Sequence, residues 1–122
     1  MILGIGTDII EVDRVKSAIE KPGFKTKVFT PREIAYCDTS ASAEHYAARG
    51  AAKEAFFKAL GTGWRGEMEI TEVEIINNEL GKPEIFLSGK VLAAFNAMGG
   101  KKVHVSLSHI KATAIAYVII EG

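Results

Sequence analysis

Larger side chains alternate with glycine near the start of the chain. Over residues 2 to 7, Leu3, Ile5 and Thr7 share one face and Gly4 and Gly6 the other, because successive side chains of a strand point to opposite sides. The same period puts Asp8 on the glycine side, at the end of the predicted strand. Glycine within a strand marks close approach by a ligand or another backbone, so Asp8 stands beside cleared space. The competing reading makes Asp8 the N-cap of the next helix, with Glu11 three residues on.

The period then lengthens. Residues 10 to 21 read as a helix, with Ile10, Arg14 and Ala18 on one stripe and Val12, Val15 and Ile19 on another, ended by Pro22-Gly23. Thr30-Pro31-Arg32-Glu33 has the form of a capping box with proline at the first helical position, opening a short helix to Cys37. The longest helix is predicted from Ser42 to Leu60, before Gly61-Thr62-Gly63. At about 100° per residue its Ala48, Ala52, Ala55, Phe56, Ala59 and Leu60 cover half the circumference, and Ala47, Ala51 and Phe57 intrude on the rest. Such a helix is interior. Yet Gly50, Glu54 and Lys58 form an i, i+4, i+8 row along it, and charges are rarely buried without partners. An exposed helical ion pair is the plain alternative for Glu54 and Lys58. Gly50 costs about 1 kcal/mol relative to alanine in a helix, so close packing or room for a ligand is expected there.

Further on, Met68 to Ile76 reads as a strand, Asn77 to Gly81 as a turn, and Glu84 to Leu87 as the hairpin partner. Ser88 is placed to cap a helix through Val91, Leu92, Phe95 and Met98 that stops at Gly99-Gly100. Val103, Val105 and Leu107 alternate with His104, Ser106 and Ser108 in another strand, and the run from Ala112 to Ile120 is apolar on both faces, as a central strand is. Strands and helices mix without a βαβ rhythm, which predicts an α+β fold: one small domain over 1–122, an antiparallel-rich sheet packed on a long central helix.

Charge narrows the function. Fifteen Lys and Arg balance fifteen Asp and Glu, which argues against nucleic-acid binding through bulk positive charge. Locally, Arg14, Lys16, Lys21, Lys25 and Lys27 make one basic segment, either a solvated face or a dock for an acidic partner. The single cysteine, Cys37, excludes an intramolecular disulfide, fits a reducing cytoplasm, and reads as a buried small hydrophobe. The apolar start is short and lacks basic residues, unlike a secretory signal, and no apolar run approaches a membrane span.

Two hard carboxylates, Asp8 and Glu54, suit magnesium, which takes one or two protein carboxylates together with substrate phosphate and water. Lys58 and the Gly61-Thr62-Gly63 loop offer a cation and backbone donors to a phosphate. The loop lies at a helix C-terminus, where the dipole disfavours anions, so it equally serves as a helix stop.

Taken together, Gly4-Ile5-Gly6-Thr7-Asp8-Ile9-Ile10-Glu11-Val12, then Ala51-Ala52-Lys53-Glu54-Ala55-Phe56 through Lys58-Ala59-Leu60-Gly61-Thr62-Gly63, and Val105-Ser106-Leu107-Ser108-His109 resemble the short bacterial type of 4'-phosphopantetheinyl transferase. The likeness covers essentially the whole chain. It implies transfer of the phosphopantetheine arm of coenzyme A to a serine of apo acyl carrier protein, with release of adenosine 3',5'-bisphosphate, in support of fatty acid biosynthesis. It also implies that Asp8 and Glu54 ligate Mg2+ on the coenzyme A diphosphate, that Lys58 steadies the leaving phosphate or gives it a proton, and that Gly61, Thr62, Gly63, Ser108 and His109 contact the coenzyme. Either water on the metal or Glu54 takes the serine proton. Arg14, Lys21 and Lys25 become the candidates for docking the acidic carrier. A homotrimer with sites at subunit interfaces is implied as well, and neither nucleic acid nor membrane is a partner. Two positions depart from the family pattern. Gly50 stands where an aromatic residue commonly precedes A-A-K-E-A, and Ile110 follows Ser108-His109 where an acidic or polar residue is usual. A binding module for coenzyme A and a purely structural oligomerisation domain are the rival readings.

Overall fold

The computed structural model describes residues 1–39, 42–62 and 66–122. Its first strand, β1 (Ile2–Glu11), leads into α1 (Val12–Ile19), the short α2 (Phe24–Val28), α3 (Pro31–Cys37) and the long α4 (Ser42–Leu60). After a 3-10 turn at Ile70–Glu72 come β2 (Val73–Asn77), β3 (Pro83–Leu87), α5 (Gly89–Ala97), β4 (Lys102–His109) and β5 (Thr113–Glu121). The strands form two antiparallel sheets, β1-β5-β4 and the hairpin β2-β3. The expected α+β architecture is the one observed, with the apolar strand β5 in the centre of the larger sheet.

Small side chains let α4 lie against that sheet. Ala55, Ala59, Ala116 and Val118 belong to one buried cluster with Phe56, Phe57, Val73, Ile75, Val91 and Phe95. The closest approach is at β1. A Cβ added at Gly4 would fall 1.9 Å from the Ala59 carbonyl oxygen, and one at Gly6 would fall 1.9 Å from that of Ala55. The space cleared by these glycines is therefore filled by the helix backbone. Gly50 is different, since a Cβ there would meet Ile10 Cδ1 at an ordinary 3.6 Å, and close packing does not demand glycine.

Several boundaries differ from expectation. β1 runs on to Glu11, so Asp8 lies within the strand, opposite Ala116, and α1 begins only at Val12. Pairing with the central strand β5 continues through Glu11 and holds these residues extended. Asp8 is consequently no cap; Glu11 has that position and its side chain makes no capping bond. The predicted strand from Met68 starts at Val73, after the 3-10 turn. Ser88 occupies the N-cap position of α5 without a side-chain bond. Glu72 does the work instead, its carboxylate accepting from Val91 N–H at 3.1 Å.

The capping box of α3 forms as its sequence requires, with Thr30 and Glu33 bonded to each other's backbone N–H. Glu33 is also buried. Its carboxylate accepts from Lys53 Nζ at 2.8 Å and from Ile75 N–H at 2.8 Å, tying α3 to α4 and β2. Lys53 is equally buried and donates to the Val73 carbonyl as well. Burial pushes its ammonium pKa down and Glu33 opposes that. Cys37 is fully buried, and burial pushes its thiol up to about 12, which makes it inert packing.

Candidate active site

Strand β1 and helix α4 bring Asp8, Glu54 and Lys58 together. The glycine contacts at Ala59 and Ala55 set the strand against the helix, and Asp8, next on the same face of β1, arrives beside the row that carries Glu54 and Lys58. From Tyr46 to Leu60 every described side chain is buried except Gly50, Glu54 and Lys58. The row singled out by its spacing is thus the one that reaches solvent.

Lys58 does not pair with Glu54. Its ammonium donates to Asp8 Oδ1 at 3.0 Å and to the Thr7 carbonyl at 2.9 Å. Glu54 is left facing Asp8, and its pKa is raised, first by burial and then by the Asp8 charge, with Lys58 pulling the other way. A carboxylate whose ionisation is opposed by a neighbouring carboxylate fits a hard divalent cation, which would relieve that repulsion. The ammonium already on Asp8 marks the place as one that takes positive charge. Among the described residues no group of three or more His, Cys, Asp or Glu is gathered for a metal. Two carboxylates suffice for magnesium when phosphate and water fill the remaining positions.

Asp8 and Glu54 line a cleft of about 710 Å³ together with Ile9, Ile10, Glu11, Arg14 and Thr113. Arg14 thus stands at the rim of the carboxylate site, on α1. Neither Arg14 nor Lys21 makes an ion pair among the described residues, whereas Lys25 is engaged, bonded to Asp38 at 3.1 Å and lying over the Tyr46 ring.

A second polar cavity of about 190 Å³ opens on another side of α4, lined by Tyr36, His45, Arg49, Asn77, Leu107 and His109 among others. Arg49 is five residues before Glu54, about 140° around the helix. Its guanidinium lies 4.2 Å from the centre of the Tyr36 ring and donates to Asn77 Oδ1. His45 stacks on Tyr36 and meets His109 edge-on at 6.5 Å. Burial pushes the His45 pKa down, and the charges of Arg49 and His109 push it further. Arg49 Nε and His45 Nδ1 are buried without a protein partner, an arrangement that suits an acceptor-rich ligand such as a phosphate or a base.

Of the sequence candidates, His109 lines this second cavity. Ser108 is exposed on β4, with Ile115 opposite it on β5. Gly61 and Thr62 directly follow α4, Gly61 with a positive φ of 85°, as a helix stop requires. Gly63 lies outside the described residues. His45 and Arg49 were not among the sequence candidates, although with Lys53 they form an i, i+4, i+8 row of their own on the same alanine-rich helix. The signal that found Glu54 and Lys58 applied to them equally.

The domain thus carries two clefts, one lined by the carboxylates Asp8 and Glu54 and the other by cationic and aromatic side chains. A family model described as the 4'-phosphopantetheinyl transferase superfamily matches residues 4–118, and the chain belongs to that family. It is 50% identical over 124 residues to the holo-[acyl-carrier-protein] synthase of Clostridium tetani, covering 100% of this chain and 98% of that protein. The corresponding synthase of Ruminiclostridium cellulolyticum is 49% identical over 120 residues, covering 95% of this chain and 90% of the relative. The crystal structure of the Neisseria meningitidis holo-[acyl-carrier-protein] synthase superposes with a TM-score of 0.90 at 36% identity, covering 100% of both chains. That of Helicobacter pylori, in complex with coenzyme A, gives 0.84 at 28% identity, covering 96% of this chain and 99% of the other.

Proposed function

We infer that the chain transfers the 4'-phosphopantetheine group of coenzyme A to a serine of apo acyl carrier protein. The observation that carries this reading is the pair Asp8 and Glu54 at one cleft with Lys58 against Asp8, in a chain half identical to named holo-[acyl-carrier-protein] synthases. The serine Oγ forms a bond to the phosphorus that bears pantetheine. The bond from that phosphorus to the oxygen bridging toward the 5'-phosphate breaks, and adenosine 3',5'-bisphosphate leaves with the electron pair.

Asp8 and Glu54 are the residues to hold Mg2+. An ion held by them would neutralise charge on the diphosphate. Lys58 gives its ammonium to the leaving phosphate, as a hydrogen-bond donor and proton source. Glu54 accepts the serine proton. The cavity of Arg49, His45 and His109 takes the nucleotide end of the coenzyme, with Arg49 Nε and His45 Nδ1 meeting acceptors there. Gly61, Thr62, Gly63 and Ser108 remain coenzyme contacts in this reading.

Arg14 on α1, beside the carboxylate cleft, and Lys21, two residues past the end of that helix, receive the acidic carrier protein, with Lys25 the lesser contributor because Asp38 already engages it. The working form is a homotrimer with its sites between subunits. Two observations support that. The outer face of β1 and β5 exposes Ile5, Ile9 and Tyr117 by 65%, 66% and 53%, and the two clefts open on different sides of α4. A second copy can cover that face and complete each site. No described helix is long and apolar enough to cross a membrane, and we place the reaction in the cytoplasm.

The test is product analysis. With coenzyme A, Mg2+ and an apo carrier, adenosine 3',5'-bisphosphate is expected to appear in step with loss of coenzyme A. Coenzyme A that binds and is recovered intact would make the chain a binding module instead.

A further inference from the structure

Glu54 and Lys58 are four residues apart on α4, the spacing at which Glu followed by Lys pairs on an isolated helix. The ammonium goes elsewhere, to Asp8 Oδ1 at 3.0 Å and the Thr7 carbonyl at 2.9 Å. One of the two carboxylates at the cleft is thereby engaged by a cation that belongs to the chain itself. A magnesium ion needs a carboxylate oxygen at about 2.0–2.1 Å and keeps a demanding octahedral shell. An ammonium on the same carboxylate competes for its charge and repels the incoming dication.

The engagement is also easy to release. The Lys58 side chain is 56% exposed, against 17% for Asp8, so the ammonium is open to solvent on its own side, and a lysine stem moves its charge freely. A diphosphate entering the cleft offers the ammonium a denser anion within reach.

We propose that Lys58 gates the metal site: its ammonium holds Asp8 against a lone divalent cation and moves to the diphosphate when coenzyme A enters, so that cation and coenzyme bind cooperatively. This rests on the assignment of Asp8 and Glu54 as metal ligands. Cooperativity of this kind is reciprocal, so the cation tightens coenzyme binding by the same factor. A purely supporting role for Lys58, holding Asp8 in place for the metal, predicts the opposite sign for its removal.

Mn2+ titration followed by electron paramagnetic resonance reads that sign without turnover. Metal-stripped wild type, Lys58→Met and Lys58→Arg are compared with and without coenzyme A, thermal melting serving as the check on folding. Lys58→Met is expected to bind Mn2+ alone about 5-fold more tightly than wild type, with Lys58→Arg close to wild type. Coenzyme A is expected to tighten Mn2+ binding more in wild type than in Lys58→Met. Mn2+ affinity in Lys58→Met equal to or weaker than wild type would overturn the gate, while leaving the metal assignment standing if coenzyme A still promotes binding that Asp8→Asn abolishes. Failure of wild type to bind Mn2+ even with coenzyme A would remove the metal site, and the gate with it.

Discussion

Gly6 sits so close to Ala55 that a Cβ would lie 1.9 Å from the Ala55 carbonyl oxygen. This contact, repeated by Gly4 at Ala59, sets the strand that carries Asp8 against the helix that carries Glu54. Gly6→Ala forces backbone apart in a packed interface and is expected to cost about 3 kcal/mol or more. Gly50→Ala meets only Ile10 at an ordinary distance and is expected to stabilise by up to about 1 kcal/mol. Urea denaturation of the two variants checks both signs.

Lys53 and Glu33 form a buried ion pair of 2.8 Å. Lys53→Met leaves the Glu33 charge without its cation in a desolvated place, at an expected cost of about 3–5 kcal/mol. Adding Glu33→Gln to Lys53→Met is expected to recover part of that loss, though not all, because Glu33 also accepts from Thr30 and Ile75 N–H. A double-mutant cycle on unfolding free energies measures the coupling; strictly additive losses would contradict it.

Glu54 carries a raised pKa. The folded chain therefore holds that proton more tightly than the unfolded one, so the group's stabilising contribution is present below the ordinary glutamate pKa and is lost as pH rises through the folded value. At neutral pH the ionised carboxylate is a burden on the metal-free fold. Glu54→Gln is expected to raise the melting temperature in chelator at pH 7.5 while cutting transfer by about 100-fold or more. A variant that melts lower than wild type under those conditions would contradict the electrostatic account.

Arg14 lies at the rim of the carboxylate cleft and Lys25 is bonded to Asp38. Arg14→Glu is expected to raise the KM for carrier protein at least about 10-fold at low salt, with the deficit shrinking as ionic strength rises and coenzyme A affinity unchanged. Lys25→Ala is expected to have the smaller effect on KM. Equal carrier affinity in wild type and Arg14→Glu, measured across a salt series, would defeat the docking assignment.

Much of this was legible in the residue pattern because the relevant signals are local. The capping box at Thr30, the bounds of α4 and the central apolar strand follow from neighbours a few positions apart. The row of Glu54 and Lys58 stood out as charge on an alanine-rich helix. Other features depend on contacts far apart in sequence. Lys58 choosing Asp8 over Glu54 spans fifty positions, Glu72 replaces Ser88 at the start of α5 across the β2-β3 hairpin, and the length of β1 is set by β5 at the far end of the chain. The cavity around Arg49 and His45 was missed for a different reason. Its row was visible, but Arg49 joins Asn77 and His109 only once the sheets are assembled.

The central claim is tested most directly by mass spectrometry of an apo acyl carrier protein after incubation with the chain, coenzyme A and Mg2+. The expected result is one phosphopantetheine added to the carrier serine by wild type, and almost none by Asp8→Ala or Glu54→Gln under the same conditions. An unmodified carrier with the wild-type chain, across several candidate carriers, would contradict it.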